Sequence, residues 1–314
     1  MSKIPVIAVV GPTASGKTEL AVNLAKKLNG EIISFDSMQI YKGMHIASAA
    51  PDFEEMQGVK HHLLEFLEPS HSFSVADFLK EANDVVQDII NRNKRVIIAG
   101  GTGLYIDSFL ENINFSQNQT DEDLRNQLNA EYDNIGGEKM LEKLREFDPD
   151  SAQRLHPNNK KRVIRAFEIY MTTGITMSQQ LENSHQNPSP YTPYILGLSF
   201  KDREKLYNRI DSRVDNMIEH GLLGEAKAMY DRGYSSTAVQ AIGHKEFFPY
   251  FKGEISLEES TELLKRETRR YAKRQLTWFR RNDKVNWIYR DITEDILEEA
   301  LKILERNGYF GETT

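Results

Sequence analysis

The eight residues Gly11-Pro12-Thr13-Ala14-Ser15-Gly16-Lys17-Thr18 constrain this chain more than any other segment. They match G-x-x-x-x-G-K-[ST], and anion binding demands that spacing. Glycines let the backbone curl around an anion so that successive N–H groups point inward. A helix starting there adds the positive end of its dipole. Lys17 supplies a point charge to phosphate oxygens, and the Thr18 hydroxyl is of the type that ligates Mg²⁺. The flanks are those the motif requires. Lys3 to Val10 is apolar and β-branched, a buried strand, while Leu20, Ala21, Leu24, Ala25 and Leu28 recur at helical spacing until Asn29-Gly30. The motif specifies a polyphosphate, and both a nucleotide tail and a leaving diphosphate satisfy it.

The rest of the chain fits a P-loop α/β protein. Glu31 to Phe35, Arg95 to Ala99 and Tyr194 to Phe200 read as strands, and Ser74 to Arg92 as a helix. That alternation predicts a parallel sheet with helices on both faces. From 116 to 190 the texture turns polar and helical. Thr120 to Asp123 caps one helix, Met140 to Phe147 forms another, and Asn159 to Thr173 a third, stopped by Gly174. The expected organisation is a core in two parts, 1–115 and 191–314, with a helical insertion at 116–190. Glu182 to Pro193 reads as a loop.

Asp36 follows the second strand, where an acidic side chain opens into the crevice at the strand ends and serves either as a metal partner or as a base. The third strand ends in Gly100-Gly101-Thr102 and carries no acid, unlike an ordinary nucleotide hydrolase. The chain has no cysteine, which excludes disulfides and thiolate-metal centres and fits a cytoplasmic protein. No apolar run is long enough to span a bilayer. A net charge of −7 argues against nucleic-acid binding only until its distribution is considered, because Lys265, Arg266, Arg269, Arg270, Lys273, Arg274, Arg280, Arg281 and Lys284 crowd one stretch. On a helix from Glu262 to Arg281 the basic columns share one half of the surface, while Leu264, Tyr271, Gln275 and Trp278 hold the other. Such a face either tracks phosphates or is solvated beside local acids. Lys160, Lys161, Arg162 and Arg165 form a second basic cluster.

Several motifs occur in a fixed order. After the P-loop come Asp36-Ser37-Met38-Gln39-Ile40-Tyr41-Lys42-Gly43-Met44 and Gly100-Gly101-Thr102-Gly103-Leu104-Tyr105. Arg154-Leu155-His156-Pro157-Asn158, Lys161-Arg162-Val163-Ile164-Arg165 and Arg209-Ile210-Asp211-Ser212-Arg213-Val214 follow. Gly221-Leu222-Leu223, Ala241-Ile242-Gly243-His244-Lys245-Glu246 and Arg274-Gln275-Leu276-Thr277-Trp278-Phe279-Arg280 complete the set. Across nearly its whole length the chain resembles the bacterial tRNA dimethylallyltransferases, also called tRNA isopentenyltransferases. Two departures stand out: Ser48-Ala49-Ala50 lies where that pattern usually reads Gly-Thr-Ala-Lys, and His244 lies where a larger or aromatic residue is common.

The resemblance implies transfer of a dimethylallyl group from dimethylallyl diphosphate to N6 of adenosine 37 in the anticodon stem-loop of tRNA, with Mg²⁺; a monomer is the default expectation. It implies that residues 11–18 hold the departing diphosphate with Arg213, and with Arg209 as second choice. It makes Asp36 the base toward N6, with Lys17, Thr102 and Arg213 beside the reacting groups and Thr18 at the metal. Implied tRNA contacts are Asp36, Ser37, Met38, Gln39, Thr102, Arg125, residues 161–165, residues 241–246, Arg274 and Arg280. Three other functions share parts of the pattern: a small-molecule P-loop kinase, a prenyltransferase acting on free adenine nucleotides, and a non-catalytic RNA-binding module.

Overall fold

The structure, a computed structural model, describes residues 3–113, 121–184, 188–235 and 237–311. Six strands, β1 (Ile4–Val10), β2 (Gly30–Ser34), β3 (His61–His62), β4 (Arg95–Gly100), β5 (Tyr191–Ser199) and β6 (Asn286–Tyr289), form one sheet in the order β3-β2-β4-β1-β5-β6. Every pairing is parallel. Parallel neighbours require crossover connections, and helices supply them. The helix Lys17–Leu28 joins β1 to β2, and Val75–Asn91 leads into β4. Leu20, Ala21, Leu24 and Ala25 pack with Ile7, Val9, Ile32 and Ile97 of the sheet and with Ile303 and Leu304 of the helix Ile296–Arg306. The expected α/β class holds. Two strands escape sequence periodicity because they are short, β3 with two residues and β6 with four. β5 begins at Tyr191, inside the stretch expected to be loop, and residues 185–187 of that stretch lie outside the described residues.

The register sets the site. Val10 pairs with Gly100, and Ser34 with Ala99, so the carboxyl ends of β1, β2 and β4 lie side by side. Glycine is required where β4 ends: a Cβ on Gly100 would lie 2.1 Å from the Phe35 carbonyl oxygen. A Cβ on Gly103 would lie 2.2 Å from Trp278 Cδ1. Trp278 is held there by its indole N–H, which donates to Asp107 Oδ2 at 2.6 Å.

On β2, buried Glu31 accepts from Arg92 and lies 2.7 Å from His62 Nε2 and 3.2 Å from Lys94 Nζ. The Arg92 guanidinium holds the Glu31 carboxyl at about 2, against burial and with help from His62 and Lys94. Breaking a buried pair strands a charge, so Glu31→Gln is expected to cost about 3 kcal/mol in urea denaturation at pH 7. A depressed carboxyl pKa stabilises above the unfolded value. The gap between variant and wild type should therefore close as pH falls from 4.5 towards 2. A gap independent of pH would assign the loss to packing.

The chain forms two compact units, Met1–Leu110 with Pro190–Thr314, and Glu111–Ser189. The second unit is helical, with helices Glu122–Ile135, Gly137–Arg145, Pro149–Arg154, Lys160–Thr173 and Met177–Ser184. Its core gathers Leu128, Met140, Leu141, Leu144, Val163, Ile164 and Phe167. The first helix is capped by Asp121, whose side chain accepts from Leu124 N at 3.0 Å; Thr120 lies outside the described residues. No helix among the described residues is long and apolar enough to cross a membrane.

Candidate active site

A cleft of about 1190 Å³ opens at the carboxyl ends of β1, β2 and β4. One wall is the P-loop. Gly11 has φ 149° and Gly16 φ 86°, the left-handed region that favours glycine, and Ala14 joins them at φ 61°. The Arg209 Nε–H donates to Ala14 O at 3.1 Å, so this arginine fastens the loop from the helix Arg203–Glu219. One turn further on, Arg213 lines the cleft with Lys17 and Thr18. Pro12, Thr13 and Ser15 complete the loop, and Ser15 is fully buried.

Asp36 stands across from this cationic wall, and its Oδ1 accepts from Met38 N at 2.9 Å. Burial pushes the Asp36 carboxyl up, while the Met38 amide and then Lys17 pull it down. Burial and then Arg213 lower the Lys17 amine from 10.5 to about 7, opposed by Asp36. Burial likewise lowers Arg213. Lys17, Asp36 and Arg213 all line the cleft, and each lies within the electrostatic field of the other two. Lys17 Nζ donates to Pro12 O at 2.7 Å. Thr102 sits at the turn after β4, where its Oγ1 accepts from Ser37 N at 3.2 Å. It thereby fixes the segment that carries Asp36.

Ser37 and Met38 line the cleft. Gln39 lines it too, but its carboxamide is engaged. Oε1 accepts from Ser34 Oγ at 2.7 Å, and Nε2 donates to the carbonyls of Ser48 and Ala49. Those bonds shape the segment 45–50, so Gln39, implied as a contact of the target base, has its carboxamide oxygen and nitrogen each engaged within the protein.

The 241–246 segment divides between cleft and interior. Ile242, Gly243, Lys245 and Glu246 line the cleft, Glu246 from a mostly buried position, while Ala241 and His244 are buried and do not line it. His244, at 1% exposure, places Nε2 2.8 Å from Glu225 Oε1, and Glu225 also accepts from the amides of Ile46 and Ala47. Glu246 takes the Gly243 amide at 2.8 Å. The His244 side chain, at least, builds the wall from within and does not reach the cleft. In the second unit Val163 and Ile164 are core residues, which corrects their assignment as contacts. Arg125 and Arg165 both pair with the buried Glu168, at 2.5 and 3.3 Å. Lys161 and Arg162 are exposed.

The long helix Leu257–Phe279 starts at a capping box, Ser256 with Glu259. Its basic face divides in two. Lys265 pairs with Asp215, Arg269 with Asp211, and Arg270 with Glu267. Lys273, Arg274, Arg280, Arg281 and Lys284 are exposed and make no ion pair among the described residues. The free positive field thus lies at the carboxyl end, a division invisible in the sequence because Asp211 and Asp215 come from another helix.

Two further residues matter that motif spacing alone left as anchors. Tyr271 is the only Phe, Tyr or Trp ring lining the cleft among the described residues, and the Arg274 guanidinium lies 5.6 Å from its centroid. Gln275, one turn on, reaches the P-loop. Their i, i+4 spacing on a helix is the available signal, and it says only that they share a face.

The parallel sheet, the P-loop at the end of β1 and the carboxylate at the end of β2 define a P-loop α/β protein. The sequence profile of the IPP transferase family matches residues 39–282. The chain is 49% identical over 288 residues to a tRNA dimethylallyltransferase of Acetivibrio thermocellus, covering 91% of this chain and 92% of the relative. It is 46% identical over 308 residues to one of Halalkalibacterium halodurans, covering 98% and 96%. Among solved structures it is similar to a full-length tRNA isopentenylpyrophosphate transferase of Bacillus halodurans, with TM-score 0.71, 44% identity and coverage of 97% and 96%. A eukaryotic dimethylallyltransferase acting on tRNA matches at TM-score 0.81 with 29% identity, covering 98% of this chain and 79% of that one. The chain belongs to the tRNA dimethylallyltransferase (IPP transferase) family.

Proposed function

We propose that this chain, a tRNA dimethylallyltransferase by family, moves the dimethylallyl group of dimethylallyl diphosphate onto N6 of adenosine 37 in tRNA. The observation that carries the reading is the opposition of Asp36 to Lys17 and Arg213 within one cleft. The bond from the allyl carbon to the diphosphate oxygen breaks, and charge grows on that oxygen. The P-loop amides, Lys17 and Arg213 stabilise it, with Arg209 bracing the loop from behind. The bond from N6 to the allyl carbon forms as Asp36 takes the N6 proton. An exocyclic amine is a weak nucleophile, and a carboxylate raised by burial is the stronger base. Thr102 holds Ser37, and Ser37 lines the cleft where the base would enter. That base must leave its stack, as any base attacked within a folded loop must.

Mg²⁺ fits this site. Among the described residues no group of three or more His, Asp or Glu gathers to hold a metal by protein ligands alone. A cation that keeps its water and takes substrate oxygens needs only one or two protein ligands, and Thr18 would supply one. When bound, it would neutralise charge on the diphosphate.

The anchor for the anticodon stem-loop is the free end of the long helix. Replacing Lys273, Arg280 or Arg281 by Ala is expected to lower the slope of log K against log salt by about 0.7 to 0.9 per residue. Lys265→Ala and Arg269→Ala should leave the slope unchanged, because those charges are already paired. Equal slopes for all five variants would remove the helix from the interface.

The test of function is a transfer assay with labelled dimethylallyl diphosphate, Mg²⁺ and unmodified tRNA, with ATP run in parallel. Label that reaches tRNA and disappears when adenosine 37 is replaced by guanosine supports the reading. No transfer but phosphate release from ATP would make the P-loop a nucleotide site.

A further inference from the structure

We propose that Gln275 is a positioning residue of the transfer reaction, its single carboxamide holding the diphosphate loop and the Thr102 turn in register. The inference rests on the function proposed above. Gln275 Oε1 accepts from Thr13 N at 2.8 Å, and Nε2 donates to Gly101 O at 3.1 Å. These contacts link positions 262 and 174 residues away in sequence. Both partners are backbone atoms of the two segments that flank the reacting groups. One follows β1 and carries Lys17; the other follows β4 and carries Thr102.

The side chain is 5% exposed. Burying an amide is unfavourable unless both its donor and its acceptor are used, so a Leu would serve packing better. The two partners also fix the orientation of the amide, since an N–H needs the oxygen and a carbonyl needs the nitrogen. Gly101 is glycine for the same reason: its Cβ would lie 2.0 Å from Gln275 Nε2. Sheet pairing alone does not supply this link, because the β1–β4 ladder ends at Val10 and Gly100. Beyond it the Gln275 carboxamide bonds both turns. The Thr13 N–H is thereby taken, so it is not among the donors left for the diphosphate.

A reaction that needs its leaving group and its attacking nitrogen in line loses rate steeply when the two cradles shift against each other. Gln275→Met keeps the volume and removes both bonds. It is expected to lower kcat/KM for dimethylallyl diphosphate about 10- to 100-fold, with KM for tRNA changed by less than about twofold. Gln275→Glu is the informative partner. Ionised, it accepts from Thr13 but repels the Gly101 carbonyl; protonated, it has the donor and acceptor of Gln. Its activity relative to wild type should rise as pH is lowered, which a role in packing alone does not produce. Thermal unfolding run at each pH separates this rescue from a change in stability. Unchanged kcat/KM for donor in Gln275→Met, or a Gln275→Glu ratio that is flat with pH, would overturn the proposal. Absence of transfer by the wild type in the same assay would instead overturn the function on which it rests.

Discussion

Asp36→Asn is expected to slow transfer by about 10²- to 10⁴-fold while leaving binding of tRNA and of dimethylallyl diphosphate within about twofold. Asn keeps the acceptor that receives the Met38 amide at 2.9 Å, so the turn that carries residues 37–39 should stay folded. What it loses is the basic oxygen. In the wild type, burial raises the Asp36 carboxyl, and Lys17 and Arg213 only partly offset that rise. A raised carboxyl is active only when ionised, so kcat/KM should fall as pH drops through its value. Asp36→Asn should lose that acid limb along with the rate. Single-turnover transfer over a pH series, with filter binding of tRNA in parallel, measures both. Activity that survives with the limb intact would move the base to another group. Activity lost together with tRNA binding would make Asp36 a structural or recognition residue.

How much of this was legible in the sequence depends on how far apart the cooperating residues lie. The P-loop is eight consecutive residues, and its chemistry follows from local backbone geometry. The α/β class follows from alternating periodicity, and the end of β2 delivers Asp36 to the cleft one step past Phe35. Nothing local marks Gln275, whose function depends on a hydrogen bond to Thr13, nor the pairing of Lys265 and Arg269 with acids on another helix. His244 shows the opposite error. The resemblance counts it among the tRNA contacts, yet its side chain is buried beside Glu225, which also accepts from the amides of Ile46 and Ala47. Side-chain direction in an irregular segment is set by tertiary partners, which no period in the sequence encodes. β3 and β6 are too short to have a period at all.

Lys17→Met is expected to lower kcat/KM for dimethylallyl diphosphate about 10²- to 10³-fold, the effect of removing a placed donor from a developing oxyanion. Its pH profile is the sharper test. Burial, and then Arg213, bring the Lys17 amine from 10.5 down to about 7 in the free protein. Below that pH the amine is charged and meets the diphosphate directly. Above it the amine is neutral, and binding the anion requires uptake of a proton, so kcat/KM for donor should fall about tenfold per pH unit. Together with the limb from Asp36 this gives the wild type a bell. Lys17→Met has no proton to take up and should be flat on the alkaline side. Because Lys17 also lowers Asp36, removing its charge should move the acid limb to higher pH. Lys17→Arg keeps a charge throughout the range, so it should flatten the alkaline side as well while holding the acid limb nearer its wild-type position. An alkaline limb that persists in Lys17→Met would belong to another group, and an acid limb that does not move would mean that Lys17 and Asp36 do not sense each other across the cleft.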